Sequence, residues 1–352
     1  MLLLAIASGL GSIATLPAPR NQPGKTASVT RVLFVGNSFT FVNDLPHQVI
    51  NVARSLGDDI EVANSTIGGC TLFRQTPERD ERTAMLLQQP WDFIVLQDYS
   101  AMATVRAGRA LYMDPAIAAC SRVKRAAELV LYLTWGYHDG NERAACPSSD
   151  LPSCFPLGSL AALTDPPCNT SAHYHDMTRS FECMGYSVAR GYLAAHTTLR
   201  GVSRVAPCGL AWQIVRGSTQ IPSDCKALVD ANYPSPLNLS LPLRAPAGTL
   251  PHFMLYRVFN GKTRTTVDKH PNVAGQYLNA LVMYATLMRK SPAGAAAPLP
   301  TGSAAAGDRP LTQYEMAALQ FAAKSAVEGC GSACDERYVR SGPDGGGGVA
   351  LA

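Results

Sequence analysis

Val32-Leu33-Phe34-Val35 is an unbroken apolar run that ends abruptly in Gly36-Asn37-Ser38. A run without polar alternation reads as a strand buried on both faces, and such strands belong to parallel sheets covered by helices. The chain downstream keeps this rhythm. Leu45, Val49, Val52, Ala53 and Leu56 recur at helical spacing behind Asp44 as N-cap and before Gly57 as stop. Ile60–Ile67 alternates as a second strand into Gly68-Gly69, and 77–89 reads as a charged surface helix. Asp92–Gln97 is a third buried strand, 114–128 a helix, Leu129–Thr134 a fourth strand, 176–199 a helix and Val202–Pro207 a fifth strand. Residues 217–250 are irregular, 272–288 is a strongly apolar helix, and 311–327 is a final amphipathic helix. Strands alternating with helices at this spacing make βαβ units, which predicts an α/β fold with a parallel sheet of about five strands.

The chain has 352 residues, 47% hydrophobic and 16% charged, enough to bury a sizeable core and to exclude wholesale disorder. Its net charge of +4 comes without a basic run, which argues against nucleic acid as a partner. No glycine-rich phosphate loop follows any predicted strand, which disfavours a nucleotide-binding protein. Residues 1–14 are similar to a secretory signal, with an apolar core from Met1 to Leu10 and Ser12-Ile13-Ala14 as cleavage site, although the positive start is absent. No segment is long enough to span a bilayer, so no transmembrane segment is expected. Residues 15–29 read as a linker, 30–290 as the main domain, 291–310 as a flexible link, 311–341 as a C-terminal helix with a cysteine pair, and 342–352 as a low-complexity tail.

Ten cysteines occur, five of them between Cys146 and Cys208, and residues 138–172 lose helical and strand periodicity. That stretch reads as a disulfide-stapled, Cys-rich insertion, with a secreted or secretory-lumen location and pairing that the sequence leaves open. Cys330 and Cys334 have no partner pair at zinc-ligand spacing, so no metal is expected. Asn64, Asn169 and Asn238 head glycosylation sequons.

Ser38 lies between a buried parallel strand and a helix, at the sheet edge where open α/β folds place their sites. A serine nucleophile needs a base and donors for a developing oxyanion. Gly68 and Gly69, after the second strand, can present backbone N–H groups closely, and Gln97, ending the third, carries a side-chain amide. His270 precedes the 272–288 helix on what reads as a loop at the sheet edge, with Asp268 close enough to orient its ring. His47, His138, His173, His175, His196 and His252 are less well placed.

These segments resemble the blocks of the SGNH/GDSL hydrolase superfamily. Gly36-Asn37-Ser38 resembles its nucleophile block, Gly68-Gly69 its glycine block, and Asp268-Lys269-His270-Pro271 with Gly275-Gln276-Tyr277-Leu278 its last block. Leu96-Gln97-Asp98-Tyr99-Ser100 and Val205–Trp212 are similar to segments of a secreted branch. The resemblance implies a flavodoxin-like three-layer α/β/α sandwich and ester hydrolysis without metal or other cofactor. It implies Ser38 as nucleophile, His270 as general base, and an oxyanion hole from the N–H groups of Ser38 and Gly69 with Gln97. Two positions depart from the pattern. The third block has Gln97 where the family has Gly-x-Asn, and one residue rather than two separates Asp268 from His270. Either Asp268 or a backbone carbonyl orients the ring, giving a triad or a Ser–His dyad. The implied substrate is a small-molecule or carbohydrate ester with a short acyl group. The alternatives are an O-acyltransferase at the same site and a secreted binding module on a degenerate scaffold. Oligomeric state is left open.

Overall fold

The first strand, β1 (Thr30–Gly36), lies between two parallel neighbours, β2 (Ile60–Thr66) and β3 (Phe93–Leu96). Val32, Leu33, Phe34 and Val35 are at most 1% exposed, as an apolar run without alternation requires. Beyond β3 come β4 (Glu128–Tyr132) and β5 (Val202–Ala206), giving the all-parallel order β2-β1-β3-β4-β5. The computed structural model describes residues 29–104, 106–140, 177–217, 221–233, 255–260, 265–298 and 309–337.

This is the flavodoxin-like strand order, and it reverses direction at β1. Crossovers between parallel strands are right-handed. The helix after β1, α2 (Leu45–Ser55), therefore covers one face, and those after β2, β3 and β4 cover the other: α3 (Glu81–Leu87), α5 (Asp114–Val123) and α6 (Phe181–Thr198). A short helix α1 (Ser38–Phe41) precedes α2, and α4 (Ser100–Thr104) follows β3 and packs on α6. After β5 come α7 (Cys208–Arg216), α8 (Ser223–Asn232), α9 (Val273–Met288) and α10 (Gln313–Cys330). Helix α9 joins α2, and α7, α9 and α10 pack on one another. Helix α8 falls where the sequence reads as irregular; its weak apolar periodicity hides it.

The edge of β5 is covered by the segment that follows α10. Val205 N–H donates to the Cys334 carbonyl at 2.8 Å, and Arg204 pairs with Asp335 as an antiparallel bridge. A Cys330–Cys334 disulfide closes that turn, and Cys70 is also disulfide-bonded. Covering an edge this way removes a template for aggregation. Cys120, Cys183, Cys208 and Cys225 are buried thiols, so these four do not follow the expectation of disulfides. Residues 291–298 are tied down by hydrogen bonds from Asn51 to the Ala297 carbonyl and from Tyr277 to the Ala295 carbonyl. The expected insertion falls almost wholly on 141–176, which lies outside the described residues, as do Asn169, Asn238 and the N-terminal 28 residues. Among the described residues no helix is long and apolar enough to cross a membrane.

A second sheet is an antiparallel hairpin of β6 (Tyr256–Asn260) and β7 (Thr265–Pro271). Its neighbour in the core is an aromatic stack, Trp135 on Trp212 with ring centroids 4.1 Å apart. Trp212 is 1% exposed. Trp212→Ala should cost about 3–5 kcal/mol of unfolding free energy in urea titration; a loss under about 1 kcal/mol would mean the stack is not part of the core.

Candidate active site

Ser38 begins α1 immediately after β1, at the point where the strand order reverses. In open α/β sheets a crevice opens at that switch point. Gly36 is needed there for space. A Cβ on it would lie 2.6 Å from Gln97 Oε1 and 2.7 Å from Thr40 Oγ1. Asn37 shapes the turn with all its polar groups. Its N–H donates to Gln97 Oε1 at 2.8 Å, its Oδ1 accepts from Phe39 N–H at 3.1 Å, and its Nδ2 donates to the Cys70 carbonyl at 2.9 Å. The carbonyls at the end of so short a helix have few intrahelical partners. Gln276 of α9 supplies the donor, its Nε2 reaching the carbonyls of Phe39 at 3.1 Å and Val42 at 2.7 Å. Gln276 is held by Asn279, which in turn accepts from Trp212 Nε1 at 2.8 Å. The core stack thus connects to the serine turn by hydrogen bonds.

His270 lies on β7 rather than on a loop. Side chains two apart on a strand point to the same face, so Asp268 and His270 point together and Lys269 points away. His270 Nε2 is 2.7 Å from Ser38 Oγ, and its Nδ1 is 2.7 Å from Asp268 Oδ2. The one-residue spacing that departs from the family pattern is the spacing a strand requires. Of the two sequence alternatives, the structure forms the triad-like chain Asp268–His270–Ser38. The Asp268 and His270 side chains are 21% and 17% exposed. Burial pushes the Asp268 carboxyl up, but its hydrogen bond to His270 and that ring's charge outweigh this and hold it below the ordinary range. Phe39 lies against the imidazole with centroids 5.4 Å apart and against Trp135 at 5.2 Å. Asn43 Nδ2 donates to the Pro271 carbonyl at 2.8 Å, tying the end of β7 to the segment after α1. Asn43 and Asp44 both take positive φ, which asparagine and aspartate tolerate better than most residues.

Gly69 sits at φ +69°, a left-handed conformation that favours glycine, and a Cβ there would meet nothing within 4 Å. Gly68 is exposed beside Phe41. Gln97 is 1% exposed and engaged at both ends of its amide. Oε1 accepts from Asn37 N–H and from the Thr40 hydroxyl at 3.0 Å, and Nε2 donates to the Asp98 carbonyl at 2.6 Å. Gln97 therefore sits as a brace beneath the serine turn, not as an amide aimed outward as the sequence reading expects.

Asp98 was not singled out from the sequence. Its Oδ1 accepts from Leu72 N–H at 2.8 Å and Tyr99 N–H at 2.7 Å, fastening the loop that follows Gly68-Gly69 to the end of β3. Its position after Gln97 at a strand end was the available signal. Burial pushes this carboxyl up to about 7 against the pull of those two N–H donors, and Asp114 adds to the rise. Of the other described histidines, His47 and His138 pair with neighbouring Asp44 and Asp139, and His196 meets the Ala333 carbonyl. Among the described residues no group of three or more His, Cys, Asp or Glu is placed to hold a metal.

No protein-family model matches the chain, and no curated protein does. Solved structures do. A DUF4886 family protein from Bacteroides uniformis is similar at TM-score 0.51 and 16% identity, over 85% of this chain and 95% of that one. A candidate SGNH hydrolase from Slackia heliotrinireducens is similar at TM-score 0.40 and 21% identity, over 74% of this chain and all of that one. TesA is similar at TM-score 0.29 and 15% identity, over 58% of this chain and 97% of that one. The parallel five-stranded sheet with its flanking helices is an α/β fold shared with the DUF4886 family protein.

Because Asp98 keeps a proton in the native state that the unfolded chain releases above about pH 4, its contribution to stability is full below that pH. The contribution is lost as pH rises to about 7. Asp98→Asn removes this dependence. In urea denaturation at pH 5 and pH 8, the variant should gain on the wild type at the higher pH. A gap that stays constant would show the carboxyl to be ionised already at pH 5.

Proposed function

We propose that this chain is a serine hydrolase that cleaves small carboxylic esters through an acyl-enzyme. The observation that carries the reading is the continuous chain from Asp268 through His270 to Ser38, 2.7 Å at each link. A serine hydroxyl is a weak nucleophile until a base can take its proton in the attacking step. With Asp268 accepting from the Nδ1–H, Nε2 is the free base facing Ser38 Oγ. Attack on the ester carbonyl moves the hydroxyl proton to Nε2 and the negative charge to the carbonyl oxygen. The imidazolium then protonates the departing alcohol. Water, deprotonated by the same nitrogen, attacks the acyl-serine, releases the acid and restores the hydroxyl.

The developing oxyanion needs fixed donors. We assign them to the backbone N–H groups of Ser38 and Gly69, which have no acceptor among the described residues. Gln97 supports them from beneath by fixing the Asn37 peptide. Phe41, 44% exposed against Gly68, offers an apolar ledge suited to a short acyl chain or a sugar ring. A carbohydrate ester handled in the secretory pathway fits this site, and the disulfides at Cys70 and Cys330–Cys334 support an oxidising setting. The intact hydrogen-bonded chain weighs against a degenerate binding module.

Ser38→Ala should abolish p-nitrophenyl acetate hydrolysis and labelling by a fluorophosphonate while leaving the thermal midpoint close to wild type. Activity retained in that variant would defeat the mechanism. Asp268→Asn should lower kcat by about 10²–10⁴-fold; near-normal turnover would assign the orienting role to another group.

A further inference from the structure

Lys269 stands between the proposed acid and base but points to the other face of β7. Its Nζ donates to the Tyr99 hydroxyl at 3.0 Å and lies 5.5 Å from the centre of the Tyr137 ring. Its backbone carbonyl accepts from Trp135 Nε1 at 3.1 Å. Tyr99 follows β3, and Trp135 and Tyr137 follow β4, so all three contacts come from the carboxyl edge of the main sheet. Among the described residues this ammonium has no ion pair with a carboxylate. A partly buried ammonium without a counter-charge is costly, and the hydroxyl and the aromatic face offset part of that cost. An apolar side chain would meet the same packing need more cheaply, so the charge calls for a reason.

The hairpin supplies that reason. A two-stranded ribbon on its own is marginally stable, yet β7 must hold His270 Nε2 within hydrogen-bond reach of Ser38. The strand's alternation means that its roll about its own axis decides where Asp268 and His270 point. Lys269 is gripped at two points, its carbonyl by Trp135 and its ammonium by Tyr99, and two points on one residue fix that roll. We propose that Lys269 is a positioning residue that, through Tyr99, sets the roll of β7 so that the imidazole faces Ser38. This inference rests on the esterase reading and adds a function for the residue between acid and base.

The test is kinetic. Lys269→Met keeps the stem and removes the ammonium. Its kcat on p-nitrophenyl acetate should fall about 10- to 100-fold, the scale expected when reacting groups are displaced by about an ångström. KM should stay within about twofold, since ground-state binding is untouched. Fluorophosphonate labelling of Ser38 should slow in parallel. Tyr99→Phe should act in the same direction, and the double variant should be no worse than Lys269→Met, because the two act as one unit. If Lys269→Met fails to fold, Tyr99→Phe, which deletes one oxygen, carries the same kcat test. Unchanged kcat in Lys269→Met, or losses that add in the double variant, would overturn the clamp. So would a defect confined to a raised KM for p-nitrophenyl hemisuccinate, which would make the ammonium a binder of substrate carboxylate. A wild type that neither hydrolyses the ester nor labels at Ser38 would instead remove the esterase reading, and the clamp with it. An active wild type matched by Lys269→Met would remove the clamp alone.

Discussion

The geometry of the serine turn depends on one buried amide. Gln97 immediately follows β3, which lies beside β1, and its Oε1 takes both the Asn37 N–H and the Thr40 hydroxyl. That contact draws the chain so close that nothing larger than hydrogen fits on Gly36. It fixes the Asn37 peptide, and with it the direction in which Ser38 leaves the sheet. An amide held at both ends in a dry interior has little freedom to reorient, because an unmade hydrogen bond there costs about 1–3 kcal/mol. The two parallel neighbours of β1 supply the rest of the constraint, since only at the reversal of strand order does a crevice open for the turn to face.

Around this turn the site is assembled from segments that share no local sequence. Asn37 and Asp98 hold the glycine loop from two sides, through the Cys70 carbonyl and the Leu72 N–H. Gln276 reaches from α9 to the carbonyls of α1 and is itself positioned through Asn279 and Trp212. The hairpin brings Asp268 and His270 from the opposite end of the domain. Each of these side chains is buried or partly buried and hydrogen-bonded, which suits a site that must hold its groups to a few tenths of an ångström.

Much of this was legible beforehand where one segment carries its own signal. The apolar runs of β1, β3 and β4 announced buried strands, and the order of helices and strands announced a parallel sheet. Ser38 and His270 were legible because each stands at an element boundary in unusual company. The reading failed where meaning depends on a distant partner. Gln97 has the composition of an oxyanion donor, but its donor and acceptor groups are used by its neighbours. Asp268 departs from the family spacing, with one residue rather than two before His270, and the sequence places His270 on a loop. Pairing with β6 turns that segment into a strand, and a strand needs the i, i+2 spacing. Helix α8 escaped because its periodicity is weak and its burial comes from packing against α6.

The sequence by itself determined the α/β class, the run of parallel strands and the placing of Ser38 at a strand end, because hydrophobic period and turn chemistry act over a few residues. Tertiary structure alone decided that Gly36 must lack a side chain, that Gln97 braces instead of donating outward, and that Asp268 and His270 share a face toward Ser38. Those outcomes follow from contacts between residues 57 or more positions apart, and such contacts exist only once burial has fixed which strands and helices lie side by side.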